Sequence, residues 1–145
     1  MAATPPPIPE EPPLRDPAAL LTAALALPDT IITVGSGAAI AELMGRPPTV
    51  RDDGGWLALE SEPWHLHLNL RALAVARFEM APSAEAAGGT SYSLALLDHD
   101  GRTACTVYFT GMAEADGTPR PDRVAAFTAL QARAGGAEVR FAPAP

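Results

Sequence analysis

The spacing of apolar residues changes period along this chain, and the change marks the order of its elements. Ala18 to Leu27 is an uncharged alanine and leucine run behind Asp16 and Pro17. That pair suits a helix start, because the carboxylate accepts from free amides and proline has no N–H to leave unsatisfied in the first turn. A helix is predicted to about Leu27, stopped by Pro28. Ile31 to Val34 is a short β-branched strand ending in Gly35-Ser36-Gly37, and Ala38 to Met44 reads as a brief second helix closed by Gly45 and a proline pair.

From Trp56 the period becomes two. Trp56 to Glu60 reads as a short strand, after which Trp64, Leu66, Leu68 and Leu70 fall on one face of a strand and His65, His67, Asn69 and Arg71 on the other. The first face packs; the second meets water or a ligand. Leu73 to Met80 continues as strand after a bend, and 81–89 is a loop rich in alanine, glycine and serine. Tyr92 to Leu97 and Thr103 to Phe109 form a hairpin across Asp98-His99-Asp100-Gly101, with Gly101 suited to positive φ. A last helix is predicted from about Asp122 to Arg133, burying Val124, Phe127, Leu130 and Ala134, ended by Gly135 and Gly136. Val139 to Phe141 returns as an edge strand. The order predicts an α+β domain, an antiparallel β-sheet with N-terminal helices and a C-terminal helix packed on it.

Composition narrows this picture. At 145 residues and 48% hydrophobic content, one domain can bury a core without disulfides or metals. The first seventeen residues hold seven prolines among acidic residues. They predict a disordered proline-rich tail over 1–15 and a single folded domain over 16–142. Net charge is −7 with no lysine among ten basic residues, which argues against nucleic acid and anionic lipid as partners. The longest apolar run is about half of what a bilayer crossing needs and follows prolines and acids, so neither a membrane span nor a secretory signal is read. The protein is expected to be cytoplasmic.

Candidate chemistry is sparse. Gly35-Ser36-Gly37 stands between strand and helix as a phosphate loop would, but Ile40 replaces the third glycine and no second β-α unit follows; a turn with a helix cap through Ser36 is the better reading. His65 and His67, two apart on a strand, project from one face and can reach one metal or one flat ligand. The paired Cys/His spacing of a structural zinc site is missing. His99 lies in a turn between two aspartates and is expected in solvent, while Cys105 alternates with Val107 and Phe109 and so points to the apolar side. Paired Asp52 and Asp53 precede Gly54-Gly55 in what reads as a solvated turn.

Between about Trp56 and Gln131 the chain resembles the haem-utilisation family of HutX/ChuX-type carriers and HemS-type haemin-degrading or haem-transfer proteins. The residues that carry the resemblance are His65-Leu66-His67, Ser91-Tyr92-Ser93-Leu94-Ala95-Leu96-Leu97-Asp98, Gly101-Arg102, Val107-Tyr108-Phe109, and the helix with Phe127 and Leu130. The resemblance implies a sheet-and-helix module, present twice in HemS-type chains and once, as a homodimer, in the shorter carriers. It implies haem binding, with the family's iron-ligating histidine, four residues past the turn glycine, replaced here by Cys105. On that basis His67 and Cys105 are the expected iron ligands, with His65 beside them and Arg71 and Arg77 for the propionates. Two other readings stand beside it: a haem-free structural or interaction domain of the same fold, and a small metal-binding protein using His65 and His67. Enzymatic activity has the least support.

Overall fold

The computed structural model describes residues 14–45 and 47–142, apart from the side chain of Ser36. One N-terminal helix, α1 (Pro17–Leu25), precedes the strands β1 (Thr30–Ser36), β2 (Ala39–Leu43), β3 (Thr49–Asp53), β4 (Trp56–Glu60), β5 (His65–Asn69), β6 (Leu73–Pro82), β7 (Thr90–Asp98) and β8 (Thr103–Phe109). Helix α2 (Pro121–Ala134) and the short β9 (Glu138–Arg140) complete the chain. A six-stranded antiparallel sheet has the order β2-β1-β8-β7-β6-β9, and β3-β4-β5 form a separate three-stranded sheet. The α+β architecture is that predicted, with one helix rather than two before the sheets. Among the described residues no helix is long and apolar enough to cross a membrane.

Local chemistry explains the helix ends. Asp16 accepts the Ala19 N–H at 2.9 Å and Pro17 opens α1. At the far end of α2, Gly135 adopts φ 108°, so that its N–H and that of Gly136 both reach the Gln131 carbonyl. Most of the expected tail lies outside the described residues. Leu14, assigned to it, is 7% exposed and donates its N–H to the Arg133 carbonyl at 3.0 Å, so the core begins before Asp16.

Two expectations about the first half are corrected. Ala38 to Met44 is not a helix; Ala39–Leu43 pairs antiparallel with β1, Ile32 opposite Leu43 and Val34 opposite Ala41. Helix propensity is a weak prior, and the ladder offered by β1 overrides it. The hairpin is tight because Gly35, at φ 141°, lets the chain pass where a Cβ would run into the Ala39 carbonyl oxygen. Likewise Asp52 and Asp53 belong to a strand. Asp53 pairs with Trp56 around Gly54 and Gly55, both at positive φ, which is the two-residue loop that matches strand twist.

The core joins both sheets and both helices in one cluster. From the large sheet come Phe78, Leu94, Leu96, Cys105, Val107 and Phe109; from the small sheet Leu57, Leu59 and Leu68; from α1 Leu20, Leu21, Ala24 and Leu25. At its centre Phe127 of α2 is 1% exposed and meets Phe78, Tyr92 and Phe109 edge-on, with ring centroids 5.7, 5.2 and 5.4 Å away. Such edge-to-face contacts add to the stabilisation from area alone.

Candidate functional site

The alternation of β5 holds as predicted. Leu68 is buried and Leu66 packs on the core, while His65 and His67 are exposed on the outer face, their ring centroids 5.4 Å apart. The strand then stops at Asn69, whose side-chain oxygen accepts the Arg71 N–H at 3.1 Å and starts a 3-10 turn over Leu70–Ala72. Arg71 therefore leaves the histidine face on which the alternation placed it.

Cys105 does not join the imidazoles either. It sits on the inward face of β8, opposite Leu96, in the six-stranded sheet, whereas β5 belongs to the other sheet. It is 1% exposed, and burial pushes the thiol up to about 12, so it is not a thiolate near neutral pH. Arg77 lies opposite Glu138 on β9, and their side chains pair at 3.5 Å. The expected set of His65, His67, Cys105, Arg71 and Arg77 is thus distributed over four places, with only the two imidazoles together. Among the described residues no group of three or more His, Cys, Asp or Glu is placed to hold a metal ion.

A different cleft gathers what that set does not. The start of α1, the 3-10 turn after β5, the start of β6, the β7–β8 turn and the chain following β9 enclose about 740 Å³, within the usual range of small-ligand sites. Its apolar wall is Leu70, Leu73, Ala74 and Phe141; its polar groups are His99, Arg71, Arg140, Asp16 and Asp52. The β7–β8 turn is built by Asp98, whose carboxylate accepts the Asp100 and Arg102 N–H groups, both at 2.9 Å, with Gly101 at φ 78°. That turn delivers His99 Nε2 to 2.9 Å from the Arg71 carbonyl oxygen. A carbonyl only accepts, so Nε2 carries a proton and Nδ1 is the ring nitrogen left for another partner.

Unpaired charge is present in the same place, although Arg15 and Arg102, outside it, also have no ion pair among the described residues. Arg51, Arg77, Arg120 and Arg123 are ion-paired, with Glu60, Glu138, Glu114 and Asp29 respectively. Arg71 and Arg140 have no ion-pair partner among the described residues, and both line this cleft. The sequence pattern pointed to His99 only as a turn residue and did not signal Arg140, because nothing local brings the last strand beside the turn after β5. A shallow groove of about 600 Å³ along α2 is poorer in chemistry, lined by Pro119, Pro121, Val124 and small residues.

A family model matches residues 18–134, most of the chain. Similar folds are found in the heme-binding protein ChuX (TM-score 0.61, 13% identity, covering 77% of this chain and 67% of that one) and in a protein of Agrobacterium tumefaciens (TM-score 0.64, 17% identity, 77% and 63%). They extend to the heme-degrading enzyme ChuS of Escherichia coli O157:H7 (TM-score 0.60, 22% identity, 77% and 32%). The chain is distantly related to the haem-utilisation proteins. No curated protein sequence matches it. The chain spans about two thirds of the length of a ChuX chain, 65% in one structure, and about a third of ChuS. At these identities the structural likeness to ChuX and ChuS is one of fold.

Proposed function

We propose that this distant relative of the haem-utilisation proteins binds haem, or a related flat ligand with an apolar body and carboxylate arms, in the cleft between Arg71, His99 and Arg140. The observation that carries this is the convergence of an imidazole, held through Nε2, and two guanidiniums without ion pairs against Leu70, Leu73 and Phe141. The donor set fits the group: haem asks for an axial donor, an apolar slot and cations for its propionates. His99 would hold the iron and Arg71 and Arg140 the carboxylates, through charge-assisted hydrogen bonds. Bound haem would supply the redox chemistry; the chain's part is to bind and orient it. The reading is one of carriage rather than turnover, in the cytoplasm.

Pairing of two copies is part of the proposal. The outer face of the six-stranded sheet, with Thr33, Ala95 and Thr106 in one cross-strand row, carries neither helix, since α1 and α2 both pack on the opposite face.

Haemin titration of the full chain tests the site. The expected result is a shifted Soret band saturating at one haemin per chain, lost in His99→Ala and weakened at least tenfold, about 1.4 kcal/mol, when Arg71→Ala and Arg140→Ala are combined. His67→Ala and Cys105→Ala leave it unchanged. A Soret band that does not move on titration favours the haem-free structural domain, and a band lost with His67→Ala instead moves the site to β5.

A further inference from the structure

We infer that His65 and His67 form a second, independent site: an open two-imidazole chelate for a transition-metal dication such as zinc. The pair is outside the cleft, on the outer face of the three-stranded sheet, and the haem reading does not use it. Two imidazoles bound to one tetrahedral ion through nitrogens at about 2.05 Å place their ring centres about 5.2 Å apart. The observed separation is 5.4 Å. The rings stand edge-to-face at 73°, so binding requires them to turn about their side-chain bonds until a nitrogen of each faces the ion, while their centres keep nearly the same spacing.

The strand prepares this arrangement. Leu66 and Leu68 fix β5 from the core side, and the ladder to β4 holds His65 opposite Glu60 and His67 opposite Ala58. Ala58 presents no long side chain across from His67, which leaves that ring open. The cation closest along the cross-strand row, Arg51, is paired with Glu60 at 3.3 Å, which offsets its repulsion of a dication. Imidazole suits zinc, nickel and copper(II), whereas magnesium and calcium prefer oxygen. Water completes the coordination.

Calorimetric titration of the full, tag-free chain with zinc chloride tests this. The expected result is one zinc per chain, with affinity at least tenfold lower in His65→Ala and in His67→Ala, unchanged in His99→Ala, and no displacement by excess magnesium. Both imidazoles are exposed, and circular dichroism of each variant checks that its fold is kept. Absence of zinc uptake, uptake that survives both substitutions, or uptake lost with His99→Ala overturns the inference. Because the probe is zinc and the variants differ from those of the cleft, this result stands or falls separately from haemin binding.

Discussion

On the six-stranded sheet the chemically reactive side chain points inward: Cys105 lies in the core opposite Leu96, on the same face of β8 as Val107. On the three-stranded sheet the order is reversed, with leucines inward and His65 and His67 outward. Both sheets alternate with the same period, and each gives one face to a shared core. What differs is which face received the polar or nucleophilic residue. A thiol facing the core is a small hydrophobe held neutral by burial; an imidazole facing water stays reachable from solvent. Residues that look like partners in one dimension are thereby assigned to packing in one sheet and to exposure in the other.

The largest effect that would sharpen this comparison concerns the shared core. Phe127→Ala removes the ring on which Phe78, Tyr92 and Phe109 converge and is expected to cost about 3–5 kcal/mol. Leu59→Ala, at a fully buried position of the small sheet, should cost about 2–5 kcal/mol. Urea unfolding should show one cooperative transition in both variants, because the two sheets belong to one cluster. An early separate transition in Leu59→Ala alone would show that the small sheet is an independent unit.

A smaller, pH-dependent effect isolates the thiol. Burial raises Cys105 from its ordinary 9.0 to about 12 in the folded chain. Between those values the unfolded chain releases the proton and the folded chain retains it. Stability contributed by the neutral thiol is therefore fully present below pH 9 and lost as pH rises toward 12, with a slope of at most about 1.4 kcal/mol per pH unit. The urea midpoint of the parent should fall faster than that of Cys105→Ala from pH 9 to 11. Parallel curves for the two would mean that the thiol is reachable by solvent, and the contrast between the sheets would fail.

The legible parts of this fold are those whose signals are local. The Asp16-Pro17 helix start, the β7–β8 hairpin with its Asp98 and Gly101 turn, and the Phe127 and Leu130 stripe of α2 each follow from residues a few positions apart. The alanines and leucine between Ala38 and Met44 carry helix propensity, and only the non-local ladder to β1 makes Ala39–Leu43 a strand. Arg71 leaves the face that strict alternation assigns it because its amide donates to the Asn69 side chain, which ends the strand. The cleft itself was not readable: it depends on β9 pairing with β6, Val75 opposite Arg140, and that pairing leaves no mark in spacing or composition.

The smallest expected effect tests the other side of the comparison. His65→Ala and His67→Ala should each change stability by no more than about 0.5 kcal/mol, the usual range for exposed positions. Leu68→Ala on the same strand, at a position 6% exposed, serves as the buried control and should cost several times more. Chemical denaturation at neutral pH in the absence of added metal measures all three. If His67→Ala alone costs more than about 1 kcal/mol, its edge-to-face contact with His65 is holding the strand, since such ring pairs contribute about 0.5–1.5 kcal/mol beyond area. The imidazoles would then be part of the packing, like the thiol. A change near zero leaves them as groups whose placement costs the fold nothing, free to be positioned for a ligand.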